Sequence, residues 1–121
     1  MISKPTLVIG ASDNVSRYSN IAIRRLKEHA YEVIALGRRA SETHGIPIVV
    51  DLPDLPVIHT VTLYVNPMVL NDYEALIRKL NPKRVIFNPG TYKGDFAIEL
   101  QEKGIEVVVG CTLVMLSDGS Y

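Results

Sequence analysis

Residues 8–20, VIGASDNVSRYSN, decide the fold of this chain. In this stretch an apolar run stops at Gly10, a short polar loop follows, and an amphipathic segment begins. A strand that leads through glycine into a helix favours a phosphate-binding turn, because glycine admits a close ligand and the helix start offers free N–H groups. The alternative is a plain strand-to-helix turn, in which Gly10 serves the backbone geometry and Ser19 caps the helix.

Similar apolar runs recur along the chain and alternate with helical patterns. The predicted strands are residues 6–10, 32–36, 59–65, 84–88 and 105–110. Several are apolar almost throughout, which indicates strands covered on both faces, as in a parallel sheet. The predicted helices include residues 22–30, residues 69–80 between Asn66-Pro67 and Asn81-Pro82, and residues 95–104. Residues 38–58 are expected to be irregular, apart from a short strand at 48–50.

Strands that alternate with helices predict right-handed βαβ units. We therefore expect an α/β fold, a single Rossmann-like doubly wound domain over residues 1–121 with a mainly parallel five-stranded sheet. In such a sheet the carboxyl ends of the strands and the starts of the helices meet at one edge, where ligands bind.

The composition narrows the class of protein. The chain has 121 residues, 47% of them hydrophobic, and its 13 basic and 13 acidic residues cancel. This indicates a globular domain and argues against general binding to nucleic acid or membrane surfaces. One cysteine allows no internal disulfide, and neither a signal peptide nor an apolar run of ~20 residues is present. We expect a cytoplasmic protein.

The end of the second predicted strand carries two arginines. The sequence there is LGRR, residues 36–39, with no acidic residue before Glu42. Rossmann-type domains read the adenosine ribose at this point, and arginine suits a ribose phosphate, at the 2′ position in NADP or the 3′ position in CoA. A solvated loop with two surface charges is the alternative. The first loop departs from the dinucleotide fingerprint G-x-G-x-x-G, because Ser12 and Val15 replace its second and third glycines.

The residues GASDNVSRYSNIAIRRLKEHAYEVIALGRR, then LYVNP and FNPGTY, make the chain resemble the stand-alone CoA-binding domain family. These small Rossmann proteins are similar to the CoA-binding domain of the succinyl-CoA synthetase alpha subunit. The resemblance implies a CoA ligand with its pyrophosphate at the first loop, its adenosine after the second strand, and its pantetheine across the ends of the third and fourth strands. The site residues so implied are Gly10, Ala11, Ser12, Arg17, Ser19, Gly37, Arg38, Arg39, Val65, Asn66, Pro67, Pro89 and Gly90.

The resemblance implies binding and not catalysis. We expect non-catalytic binding of CoA or an acyl-CoA, in a sensor or regulator, with no protein partner predicted; an NADP-binding oxidoreductase module and an interaction protein without a ligand are the alternatives. The three histidines have no metal-site spacing, and G-x-S-x-G is absent. Cys111 is either a small buried residue or a functional thiol near the CoA sulfur.

Overall fold

The computed structural model describes residues 3–121 as one sheet between two layers of helices. The elements, in chain order, are β1 (Thr6–Ile9), α1 (Tyr18–Glu28), β2 (Val33–Leu36), β3 (Ser41–Thr43), β4 (Ile46–Val49), β5 (Thr60–Leu63), α2 (Pro67–Leu70), α3 (Glu74–Leu80), β6 (Arg84–Phe87), α4 (Gly94–Glu102), β7 (Glu106–Val109) and α5 (Thr112–Asp118).

The sheet has seven strands in the order β3-β4-β2-β1-β5-β6-β7, so the prediction of five strands is wrong. All neighbours pair in parallel except β3, which runs antiparallel to β4. Strand β4 overlaps the short strand predicted at 48–50, whereas β3 was not predicted; the two form a hairpin in a segment otherwise expected to be irregular. Its two-residue turn, His44-Gly45, has positive φ at both residues, the conformation that a tight hairpin requires.

The alternation of side chains along each strand divides the core into two layers. Leu7 and Ile9 of β1 pack with residues of α2, α3 and α4, whereas Val8 packs with α1 and α5. Both layers are fully buried at these positions, which explains why β1 is apolar throughout.

The strand order changes direction at β1. From β1 the chain passes to β2 on one side of it, and later to β5 on the other side. The loops after β1 and β5 therefore leave the same sheet edge in opposite directions and open a crevice between them.

The helices differ from the predictions at two places. The helix predicted over residues 69–80 is interrupted after Leu70 and forms α2 and α3, although Asn66 caps its start by accepting a hydrogen bond from the Val69 amide at 2.9 Å. Helix α5 was not predicted. No helix within residues 3–121 is long and apolar enough to cross a membrane.

Candidate functional site

A cleft of ≈ 640 Å³ opens at the carboxyl edge of the sheet, over the point where the strand order switches. Its walls are the loops after β1, β2, β5 and β6 together with the start of α1. All the predicted site residues line this cleft except Gly37 and Pro67. The volume is that of a pocket for a small organic ligand.

Two glycines lie where main chain from neighbouring segments meets, Gly10 at the floor of the cleft and Gly37 behind the first loop. Gly10 has φ +92°, and a Cβ atom on it would lie 2.7 Å from the carbonyl oxygen of Tyr64. A Cβ atom on Gly37 would lie 2.4 Å from the carbonyl oxygen of Ala11. Gly37 therefore supports the first loop from behind, and its close packing, rather than a place in the cleft, requires glycine.

The first loop offers only some of its amides to a ligand. The amides of Gly10 and Ala11 both donate to the carbonyl of Leu36, at 2.9 and 3.0 Å. The amides of Ser12 and Asp13 have no hydrogen-bond partner within residues 3–121. A phosphate group in the cleft therefore meets free donors at the far end of this loop and not at its glycine.

Helix α1 begins in the cleft without a side-chain cap. Arg17 occupies the N-cap position, and an arginine side chain cannot accept a hydrogen bond from the first-turn amides. Ser19 lies in the first turn of the helix, so it is not the cap that the alternative interpretation made it. The amides of Arg17 and Asn20 donate to the carbonyls of Asn14 and Arg17, at 3.0 and 3.1 Å. The amides of Tyr18 and Ser19, which have no acceptor within residues 3–121, and the positive end of the helix dipole therefore remain available to an anion.

Asn20 fixes the shape of the first loop and was missed by sequence reasoning. Its side-chain amide donates to the Ser12 carbonyl at 2.9 Å and to the Thr43 hydroxyl at 2.8 Å. Its oxygen accepts a hydrogen bond from His44 Nε2 at 2.8 Å. Asn20 is only 1% exposed, so these bonds satisfy the buried amide and tie the loop to the β3–β4 hairpin. An asparagine among the apolar positions of α1 was the available signal.

The charged wall of the cleft contains one carboxylate. Arg17, Arg38 and Arg39 line the cleft together with Asp13. Ser41 Oγ donates to Asp13 Oδ2 at 2.6 Å, and Arg39 Nη2 lies 3.6 Å from Asp13 Oδ1. Neither Arg17 nor Arg38 makes an ion pair with another residue that the structure describes.

The opposite wall is mainly apolar. Val65, Val69, Tyr73 and Pro89 line it, beside the loops that follow β5 and β6. The cleft therefore has a charged half and an apolar half, which matches a ligand with phosphates at one end and an uncharged chain at the other.

Tyr64 lies between the cleft and a buried polar cluster. Under it, Asn88 Nδ2 donates to the Thr62 hydroxyl at 2.7 Å, and Asn88 Oδ1 accepts from the Thr112 amide at 2.9 Å. Burial raises the pKa of Tyr64 to about 12, against a weaker opposing effect of the Thr112 and Thr62 hydroxyls. Tyr64 is therefore neutral at physiological pH and cannot serve as a base.

The histidines and the cysteine lie apart from the cleft. Among residues 3–121 no histidine or cysteine lines it, and Cys111 is half-buried at the N-cap of α5. Within residues 3–121, no three histidine, cysteine or acidic side chains are grouped so as to hold a metal ion.

Known structures share this fold over the whole chain. An uncharacterized protein of known crystal structure is 43% identical, with a TM-score of 0.94 and complete coverage of both chains. A hypothetical protein from Pyrococcus horikoshii OT3 is 27% identical, covering 97% of this chain and 83% of its own, with a TM-score of 0.83.

A more distant likeness shows the fold alone. The dinucleotide-forming acetyl-coenzyme A synthetase 1 of Ca. Korarchaeum cryptofilum is 17% identical, and the match covers 89% of this chain and 26% of the synthetase, with a TM-score of 0.69. No protein of curated function matches the sequence significantly.

The match to a family model decides the family. The model described as CoA binding domain matches residues 4–117, so it covers every strand and helix of the domain except the last residue of α5. The chain therefore belongs to the CoA binding domain family.

Proposed function

We propose that the cleft binds coenzyme A or an acyl-CoA and that the chain does so without catalysis, as a sensor or regulator. The observation that carries the proposal is the uncapped start of α1, which opens into the cleft beside Arg17 and the free amides of Ser12 and Asp13. Free amides, a helix dipole and a guanidinium together form a site for a pyrophosphate.

The two halves of the cleft orient this ligand. Arg38 and Arg39 follow β2 and suit the phosphate on the adenosine ribose. Val65 and Pro89, on the apolar wall, suit the pantetheine chain or an acyl group. The family match gives no support to the alternative of an NADP-binding oxidoreductase module.

The absence of a poised base supports binding without turnover. Hydrolysis or transfer of a thioester needs a nucleophile or a general base within hydrogen-bond reach of the reacting carbon. Asp13 is the only carboxylate that lines the cleft among residues 3–121, and Ser41 and Arg39 engage it at the charged end. The apolar end, where a thioester would lie, holds the neutral Tyr64.

Titration calorimetry with CoA, acetyl-CoA, NADP and NAD tests the binding. We expect heat with CoA or acetyl-CoA and none with the two nicotinamide nucleotides. Arg17→Gln should weaken CoA binding about tenfold, because it removes one charge-assisted contact. Arg24→Gln is the matched control, since Arg24 is an exposed arginine of the same helix whose contact is with Glu28 at 3.8 Å. Binding of NADP alone would contradict the proposal.

A thiol-release assay with acetyl-CoA tests the lack of catalysis. We expect no protein-dependent release of free CoA at protein concentrations at which calorimetry shows binding. Release that disappears in Cys111→Ala would contradict the proposal and make Cys111 a nucleophile.

A further inference from the structure

Asp13 brings a negative charge into a cleft whose other charged lining residues, among those the structure describes, are arginines. Its carboxylate is held at both oxygens, by the Ser41 hydroxyl at 2.6 Å and by Arg39 Nη2 at 3.6 Å. A carboxylate beside these arginines weakens the positive electrostatic potential that would attract a phosphate group to the cleft. Its presence among cationic residues therefore bears on which anion the cleft accepts.

The contacts of Asp13 join two separate walls. Asp13 belongs to the loop after β1, whereas Arg39 and Ser41 follow β2. The neighbouring Arg38 has no ion pair with any residue in the described part of the chain. The wall after β2 therefore presents one free arginine and one arginine that is already paired.

The pairing of Asp13 with Arg39 is weak enough to exchange. The side chain of Arg39 is 82% exposed and that of Asp13 39% exposed, and such solvated pairs contribute little energy. A phosphate group carries more charge than a carboxylate and accepts two hydrogen bonds from one guanidinium, so it competes well for Arg39. Asp13 would keep its hydrogen bond from Ser41 after Arg39 has left.

We propose that Asp13 limits the preference of the cleft for ligands with a phosphate group beyond their pyrophosphate, because it pairs with Arg39 until such a phosphate group displaces it. This inference rests on the proposed binding of CoA and adds a role for one residue of that site. A ligand without the ribose phosphate leaves the Asp13–Arg39 pair intact. A ligand with it must break the pair, so Asp13 lowers the affinity for CoA and narrows its advantage over dephospho-CoA.

Calorimetry on Asp13→Asn at constant ionic strength tests this role, with CoA and dephospho-CoA as the two ligands. Asparagine keeps an oxygen for Ser41 and removes the charge that holds Arg39. We expect the affinity for CoA to rise roughly two- to fivefold, the strength of one exposed ion pair, and the affinity for dephospho-CoA to rise by a clearly smaller factor. Glu42→Gln is the matched control, because Glu42 is an exposed carboxylate three residues along the chain from Arg39, lies outside the cleft lining and makes no ion pair within residues 3–121.

The Arg39→Ala background separates pairing from general electrostatics. In that background Asp13→Asn should no longer change the ratio of the two affinities, because there is no arginine left to release. A ratio that still changes there, or changes equally in Glu42→Gln, overturns the pairing. An unchanged ratio of the two affinities in Asp13→Asn also overturns the proposed pairing. A loss of affinity for both ligands overturns it as well, because Asp13 would then accept a hydrogen bond from the ligand. Wild-type protein that binds neither ligand overturns the proposed function together with this inference.

Discussion

The sequence predicts that Gly10 is a glycine because it admits a phosphate group, whereas the structure shows that strand packing requires glycine there. A side chain at this position would not enter the phosphate space, since its Cβ would meet the Tyr64 carbonyl of the neighbouring strand at 2.7 Å. The residue therefore allows β1 and the chain after β5 to approach each other. A ligand-binding defect in a Gly10 variant would therefore follow from displacement of the backbone at the floor of the cleft.

Gly10→Ala should lower the free energy of unfolding by more than the cost of its unusual φ alone. A non-glycine residue at positive φ costs about 1–2 kcal/mol, and the contact with Tyr64 adds to this cost. Gly90→Ala is the matched control, because Gly90 has φ +85° and open space around its Cβ position. Urea unfolding of both variants measures the difference, and equal destabilisation would contradict the account of Gly10.

His59 provides a pH dependence at the same scale. Its pKa is lowered from the usual 6.5, first by burial and then by the positive charges of Arg84 and Lys4. Its Nδ1 lies 2.8 Å from the Thr60 hydroxyl, which also accepts a hydrogen bond from Arg84 Nε at 3.0 Å. The neutral imidazole can accept a hydrogen bond from this hydroxyl, whereas a protonated ring would add a cation beside Arg84.

The sign of the effect follows from proton binding. As the pH drops through 6.5, the unfolded chain takes up a proton at His59 before the folded chain does, so stability falls between the unfolded pKa of 6.5 and the lower pKa of the folded state. His59→Gln should reduce this slope in urea unfolding series across that range. His29→Gln, at an exposed position after α1, is the control, and its slope of stability against pH should be larger than that of His59→Gln. An undiminished slope in His59→Gln would contradict the prediction.

At the scale of elements, the apolar pattern predicted the strands that carry it and missed β3, which lacks it. Strands β1, β2, β5, β6 and β7 lie where branched apolar runs occur. Burial on both faces explains these residues in β1, β5 and β6, whereas the edge strand β7 leaves Val109 66% exposed. Strand β3 has the sequence Ser-Glu-Thr and lies at an edge, so its pairing depends on the His44-Gly45 turn and not on burial. The sequence signals that could have predicted helix α5 are its apolar run and the glycine that follows it, Gly119.

The site could be predicted only where it depends on local sequence. The loop after β1 and the two arginines after β2 were found, because glycine and arginine mark phosphate sites at these positions of a Rossmann-like sheet. The pairing of Asp13 with Ser41 and Arg39 was not found, since it joins residues 28 and 26 positions apart through the strand order. The contacts of Asn20 with Thr43 and His44 were missed for the same reason.

The short helix α2 depends on its cap more than a long helix would. Its four residues form few internal hydrogen bonds, and Asn66 accepts from the Val69 amide while Pro67 fixes the first turn. Asn66→Ala should lower the free energy of unfolding by about 0.5–2 kcal/mol. Asn66→Ser, which keeps a capping oxygen, should restore most of this in the same urea titration. Equal losses in the two variants would show that the cap does not stabilise α2.

At the scale of the whole molecule, Tyr121 connects both ends of the described chain to the centre of the sheet. Its carbonyl oxygen accepts hydrogen bonds from Arg84 Nη1 at 2.8 Å and from Lys4, and its hydroxyl bonds to Thr6. Its ring lies 4.4 Å from the Arg84 guanidinium carbon and 4.9 Å from the Tyr31 ring. The buried cation of Arg84 is therefore covered by a residue that follows α5.

Tyr121→Ala should be among the most destabilising substitutions in the chain. It removes a ring that is only 5% exposed and opens a cavity above Arg84, so we expect a loss of about 3–5 kcal/mol in the free energy of unfolding. Tyr121→Phe keeps the ring and loses only the hydroxyl bond to Thr6, at a cost of about 1 kcal/mol. Chemical unfolding distinguishes the two, and a small loss in Tyr121→Ala would contradict this account.

Substitutions of the glycines beneath the cleft affect the fold, whereas substitutions around the rim of the cleft do not. Cβ atoms on Gly10 and Gly37 would meet main-chain atoms, so substitutions at these two positions disturb the backbone beneath the cleft. Asp13 and Arg39 are exposed at the rim, where single substitutions leave the core intact. The charges around the opening of the cleft can therefore be changed one at a time through a series of variants that all fold.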